Sequence, residues 1–207
     1  MTRWKVELLN ETVEHELSSL KAKIRGRFVG VCGLLERYGP HGVELPHIIR
    51  VRRLLWEMRI NSNGCIAKAL FQPARTRRIL VLCVLQNTNN SSVDSALERA
   101  SQLLLVPRAN LQAVKDLHAR WKRIDPAYAE VYSRVGIEIQ RASSIIRART
   151  EAQLTQAKLA ERLDSSSAVI SRLESGKSLP SPRMLKRLNA ATGVEMKVRG
   201  TALIVKH

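Results

Sequence analysis

Apolar side chains recur along the chain in two rhythms. Trp4–Leu9 alternates apolar and polar residues, which predicts a strand. Asn10-Glu11-Thr12 offers a helix cap. Over Thr12–Tyr38, Leu17, Leu20, Ile24, Phe28, Val31, Leu34 and Leu35 recur at three- and four-residue spacing. That spacing puts them on one face of a helical stretch, read as two helices, which Tyr38-Gly39-Pro40 ends. Leu55–Ile60 alternates again, with Trp56, Met58 and Ile60 on one side and Glu57 and Arg59 on the other. Cys65–Phe71 follows a turn at Asn61-Ser62-Asn63-Gly64, a hairpin signal. Arg78–Leu85 is nearly all apolar, as a central strand should be. After a polar loop, Gln86–Ser92, the run Val93–Val106 reads as a helix. Strand, helices, three strands and a helix make a small α+β domain.

The second half changes character. Leu111–Lys122 is helical, and Asp125-Pro126 is a helix start with Pro at the first helical position. Tyr128–Arg149 continues as a long helix, and Leu154–Leu188 holds several short helices separated by polar breaks. Val194–Val205 reads as a hairpin turning at Gly200, and the sequence leaves open whether its strands pair within the chain or between chains. The seam Pro107-Arg108-Ala109-Asn110 is short and not rich in Gly or Ser. It divides the chain into domains 1–107 and 108–207 with limited freedom between them.

Charge narrows the partners. The 207 residues carry 35 Lys and Arg against 18 Asp and Glu, a net charge of +17. Residues 1–107 hold 16 basic and 9 acidic side chains, and residues 108–207 hold 19 and 9, so neither half is a basic tail. Such a balance favours nucleic acid or ribosome over a small neutral substrate. With 44% apolar residues the chain can bury a core. Cys32, Cys65 and Cys83 lie far apart with no C-x-x-C, which disfavours a disulfide framework and a zinc ribbon. The longest apolar run, Ile79–Leu85, is too short for the ~20 residues of a membrane span. Residues 1–5 lack the apolar core of a secretory signal. The expectation is a cytoplasmic protein with no membrane partner, cofactor or metal.

The strongest chemistry-bearing pattern runs from Leu154 to Lys177. Leu159, Leu163, Ile170 and Leu173 supply an apolar interior for two short helices, and Ala160 is small where they approach. Asp164 falls in the turn, where a left-handed residue is often needed and Asp is tolerated. Ser165 or Ser166 can cap the second helix, and Gly176 ends it. These residues, over Leu154 to about Gly193, resemble the helix-turn-helix of phage repressor and Cro proteins, the XRE family. The resemblance implies that Gln156 holds a DNA phosphate and that Ser166, Ser167, Ala168 and Arg172 face the major groove. A guanidinium can contact guanine O6 and N7 together, which makes Arg172 the best base reader. Lys177 and Arg183 would contact backbone phosphate. Arg149 and Glu174 match a buried structural ion pair of the family. Proteins of this class read paired half-sites as dimers on operator DNA. From about Leu117-His118-Ala119-Arg120-Trp121 onward, and again over Ile145–Arg149 and Leu154-Thr155-Gln156, the chain is similar to HigA-type antitoxins, with the helix-turn-helix at about 145–193.

The first half resembles RelE/HigB-like toxins of the phage-derived branch. The resemblance is carried by Trp4–Leu9, the helical pair through Tyr38-Gly39-Pro40, Leu55-Trp56-Glu57-Met58-Arg59-Ile60 and Arg77–Leu85. Such toxins cut messenger RNA, usually on the ribosome, without metal. The 2′-hydroxyl attacks the neighbouring phosphate, which needs a base, a cation and an acid. The resemblance implies a phosphate-stabilising role for Arg59. Lys68, Arg75, Arg77 and Arg78 would add RNA affinity, and Arg59, Lys68, Arg77 and Arg78 form the candidate catalytic set. Trp56, on the apolar side of its strand, reads as core. The family's Lys-rich loop is replaced by the uncharged Gln86–Ser92. His15 reads as a surface residue, and His41 and His47, flanking a Gly/Pro loop, read as solvated. The acid/base set is therefore incomplete. The fold expected is an α+β RelE-like N-terminal domain followed by an all-α helix-turn-helix domain with a short C-terminal β-hairpin or strand. The function expected is a fused type II toxin–antitoxin protein acting as a DNA-binding autoregulator, its two halves in contact. The alternative is a self-inhibited, ribosome-associated endoribonuclease released by cleavage or rearrangement.

Overall fold

Alternating and all-apolar runs become the strands of one mixed sheet, and the three- and four-residue rhythm becomes the helices against it. A computed structural model describes residues 3–62, 65–74, 76–86, 98 and 111–206. The helix expected over Val93–Val106, the Pro107–Asn110 seam, Asn63, Gly64, Arg75 and residues 87–92 of the uncharged loop lie outside the described residues, Glu98 excepted. The N-terminal region orders β1 (Lys5–Leu8), α1 (Glu11–Ser18), α2 (Ala22–Gly42), β2 (Ile48–Arg50), β3 (Trp56–Ser62), β4 (Cys65–Ala74), β5 (Arg78–Gln86) and β6 (Gln112–Ala113). The sheet order is β2-β3-β4-β5-β1-β6. β1 runs parallel to β5, and the other neighbours are antiparallel. The β3–β4 register sets Arg59 directly opposite Lys68. Asn10 caps α1 through Val13 N, at 3.1 Å. The long helix α2 buries Ile24, Phe28, Val31, Leu34 and Leu35, the stripe expected from sequence. Its regular geometry breaks at Gly39 (φ 71°), where a Cβ would lie 2.6 Å from Trp4 Nε1.

The helical region that follows holds α3 (Val114–Ile124), α4 (Pro126–Glu151), α5 (Gln156–Arg162), α6 (Ser167–Glu174) and α7 (Pro182–Thr192). A hairpin of β7 (Met196–Arg199) and β8 (Ala202–Val205) ends the chain, paired within it from Met196↔Val205 to Arg199↔Ala202. Gln140 holds the hairpin to α4 by accepting the Leu203 N–H at 3.2 Å. Two apolar cores result. The first joins the sheet and α2 to Val114, Leu117, Trp121, Tyr128, Ala142 and Ile146, all beyond residue 107. The second holds Ile145, Ala148, Leu159, Leu163, Ile170, Leu173, Leu188 and Leu203. The helix α4, about 39 Å long at 1.5 Å per residue, therefore turns one face to each core. The sequence pattern did not announce β2 or β6, which are three and two residues long and exist only by pairing with β3 and β1. Among the described residues no helix is long and apolar enough to cross a membrane.

Candidate nucleic-acid interface

Local caps and a left-handed turn residue delimit α5, the turn and α6. Thr155 caps α5 by accepting Lys158 N–H at 3.2 Å. The turn passes through Asp164 at φ 41°, the left-handed conformation the sequence called for. Ser166 caps α6 by accepting Val169 N–H at 3.4 Å. Leu159, Ala160, Leu163 and Ile170 are buried between the helices. After α6 the chain turns at Gly176 (φ 71°), where a Cβ would fall 1.8 Å from the Glu138 carbonyl oxygen of α4. Outward, the motif exposes Ser166, Ser167, Ala168, Arg172, Lys177 and Arg183.

Beneath this surface lies a polar cluster. Arg149 is 1% exposed and Glu174 is fully buried. Arg149 Nε donates to Glu174 Oε1 at 2.5 Å and Nη2 donates to Oε2 at 3.1 Å, a fork that removes both charges from water together. Its remaining donors reach Leu154 O at 3.0 Å and Gly42 O at 2.8 Å, and Nη1 lies 3.0 Å from Glu44 Oε1. Burial pushes the Glu174 carboxyl up, against the pull of Arg149 and Gln156.

Gln156 does not stand where the resemblance implied. It is 4% exposed; its side-chain nitrogen donates to Leu45 O at 2.5 Å and Glu174 Oε2 at 2.8 Å, and its backbone N–H goes to Glu44 Oε1 at 3.1 Å. The start of α5 faces the N-terminal region, so the amide serves that contact and is turned away from solvent. His47 also departs from expectation. It is 2% exposed, with Nε2 2.8 Å from the Glu174 carbonyl oxygen. Burial lowers its pKa to about 4, with the Arg27 charge acting in the same direction and the Glu174 carbonyl opposing. His15 and His41 are exposed, as read, and Trp56 is half-buried.

The two regions face each other across a cleft of about 590 Å³. Arg59 and Lys68 line one wall; Ala168, Ser171, Arg172 and Lys177 line the other. Arg59 Nε donates to Glu57 Oε1 at 2.8 Å, and Lys68 Nζ lies 3.5 Å from Glu57 Oε2. Glu57 itself is 5% exposed, below the two cations. The cleft does not gather the whole candidate catalytic set. Arg78 pairs with Glu7 at 2.6 Å and opposes Ala74, six residues along β4 from Lys68, roughly 20 Å at ~3.3 Å per residue. Arg77 is exposed in the adjoining turn. The set splits into a pair in the cleft and a pair at the far end of the sheet. Among the described residues, no group of three or more His, Cys, Asp and Glu gathers to hold a metal ion.

Sequence reasoning gave no role to Glu44, Glu57 or Arg27 and read the buried His47 as solvated. Arg27 is buried in α2, donates to Ser175 O at 3.0 Å and pairs with Glu138. The one legible signal was Glu57, an acid two residues before Arg59 on the same strand face. The others act across the junction, which no local spacing encodes.

Comparison with known proteins follows the same division. Residues 145–198 match the helix-turn-helix family, and residues 15–104 match the family described as Phage derived protein Gp49-like (DUF891). The first match suggests a DNA-binding transcription regulator, and the second a toxin–antitoxin module. Among curated proteins, the chain is similar to Multiprotein-bridging factor 1a of Arabidopsis thaliana, 36% identical over 66 residues. That match covers 32% of this chain and 45% of the relative. Multiprotein-bridging factor 1b of the same plant matches over the same length and at the same identity. The chain thus spans less than half the length of the curated relatives it matches.

Proposed function

We propose that the protein is a fused type II toxin–antitoxin protein of HigB/HigA type that acts as a sequence-specific, DNA-binding transcriptional autoregulator. Its operator partner is bound by a homodimer in the cytoplasm. Residues 1–107 are the toxin-like half and residues 108–207 the antitoxin-like half. One observation carries the reading: α6 presents Ser167, Ala168 and Arg172 outward while its inner face is fixed by Ile170, Leu173 and the Arg149–Glu174 fork. A reading helix needs that combination of an exposed polar face and a rigid back. Ser166 then serves chiefly as a cap, Lys177 and Arg183 as phosphate contacts, and Arg172 as the base reader. The experiment is selection of duplexes from a random pool by the full chain, repeated with Arg172→Ala. Loss of ~1–3 kcal/mol of discrimination at one base position is expected; an unchanged preference at every position would remove Arg172 from that role.

The toxin-like half is neutralised or degenerate on this reading. Attack of a 2′-hydroxyl needs an acid and a base beside the cation. The histidine of the cleft, His47, is buried, neutral near pH 7 and bonded to Glu174. The second reading, a self-inhibited endoribonuclease, is favoured by Arg59 and Lys68 standing opposite each other with their side chains partly exposed. Mapping messenger RNA ends in cell-free translation with the full chain before and after proteolytic nicking between residues 107 and 117, and with Arg59→Ala treated alike, separates the two: cleavage that needs both the nick and Arg59 would support the nuclease.

A further inference from the structure

The two walls of the cleft carry the same sign of charge. Arg59 and Lys68 come from β3 and β4, and Arg172 and Lys177 from α6 and the loop after it. Glu57 pairs with the first two but offsets only one of their charges. Among the described residues, Arg172 and Lys177 form no ion pair. Like charges across a cleft repel, and here contacts across the junction hold the walls together against that repulsion. Arg27 ties α2 to Ser175 and Glu138, His47 meets Glu174, and Gln156 holds Leu45. A cation set fixed in this way is relieved by a polyanion. A cleft of about 590 Å³ is too small to admit a duplex. Ala168, Arg172 and Lys177 are nevertheless exposed at its rim, so a duplex read by α6 would approach from that rim, with the opposite rim, where Arg59 and Lys68 stand, beside its backbone.

We propose that Arg59 and Lys68 contact the DNA backbone beside the half-site that α6 reads. The β3–β4 wall is then a working part of the operator-binding surface. This rests on the reading of α6 as the base-reading helix. It assigns the two residues a role that needs no acid, no base and no catalysis, only a fixed position relative to α6. The cluster beneath the cleft supplies that position.

The test measures affinity of the full chain for a duplex it has selected from a random pool, as a function of salt. Two variants probe the wall: Lys68→Gln, and the pair Glu57→Gln with Arg59→Gln. The second removes the buried acid together with its cation, so no unpaired carboxylate is left inside. Each lost phosphate contact is expected to reduce the slope of log K against log salt by about 0.9, with binding weakened evenly across sequences and the preferred sequence unchanged. Arg172→Ala, run beside them, is expected to change the preferred sequence. Unchanged slopes in both wall variants, with Arg172→Ala behaving as expected, would overturn the wall contact alone. Tighter binding by the wall variants would also overturn it, since the sheet would then be obstructing the duplex. Loss of single-stranded RNA binding with the duplex slope intact would overturn it in favour of RNA. If the full chain selects no duplex, or Arg172→Ala leaves the preference intact, the reading of α6 falls and the wall contact with it.

Discussion

Arg149 meets oxygens from three stretches of chain: the Glu174 carboxylate, Leu154 O, and Gly42 O with Glu44 in the N-terminal region. Removing it strands a fully buried carboxylate. Arg149→Ala is expected to cost ~3–5 kcal/mol in denaturant unfolding, and Arg149→Lys to recover little of it, because an ammonium cannot fork. Gln156→Ala is milder, about 1–3 kcal/mol, the loss of one buried amide whose acceptors stay behind. It is expected to leave the salt slope of DNA binding unchanged; a fall of the slope would return Gln156 to the phosphate role. His47 makes stability depend on pH. Its folded pKa of about 4 lies below the ordinary imidazole value of 6.5, so the unfolded chain binds the proton more readily between those values. The stabilisation is fully present above pH 6.5 and is lost as pH falls from 6.5 towards 4, up to about 3 kcal/mol. Urea midpoints at pH 7.5 and 4.5, compared with those of His47→Asn, check this; an equal decline in both would exclude His47 as the source.

At the scale of elements, glycines set how closely helices meet. A Cβ on Gly30 of α2 would lie 2.5 Å from the Ile139 side chain of α4, and one on Gly26 would lie 3.6 Å from Tyr132 Cα. Gly176 is tighter, because its neighbour is backbone and its φ is positive. Gly176→Ala is expected to destabilise by at least ~2 kcal/mol, combining left-handed strain with displacement of α6 from α4, read as a lower thermal midpoint. The elements whose signals are local were legible in the sequence: Asp164 and Ser166 mark the turn and α6, Asp125-Pro126 starts α4, and the apolar stripe of α2 reads directly. Elements whose cause is tertiary were not. The two residues of β6 exist because β1 offers an unpaired edge. Gln156 looks like any polar helix start until Leu45 and Glu44 are brought to it. The exposed positions of α6 could be inferred from a motif, while the cleft opposite them depends on how two regions dock.

Over the whole molecule, the shared helix couples the halves. Trp4, Trp56 and Trp121 all belong to or pack on the first core, whereas helicity reports on both cores. Tryptophan fluorescence and far-ultraviolet circular dichroism are therefore expected to give one coincident unfolding transition; two separated midpoints would mean that α4 does not link the cores. Residues 1–107 alone lack Val114, Leu117, Trp121, Tyr128, Ala142 and Ile146 of their own core. That fragment is expected to be unstructured, which bears directly on any scheme in which cleavage near residue 107 frees an active piece.

The same sharing has a consequence for the order of synthesis. The chain leaves the ribosome from its N-terminus at ~5–20 residues per second. When residue 107 has emerged, the sheet's core is still missing the side chains of α3 and α4, which follow over the next several seconds. By the time Ile146 arrives, the helix that completes the core is also the one that carries Arg149. The N-terminal region thus has no interval in which it is finished and unaccompanied: the last part of its core belongs to the helices that open the region after it.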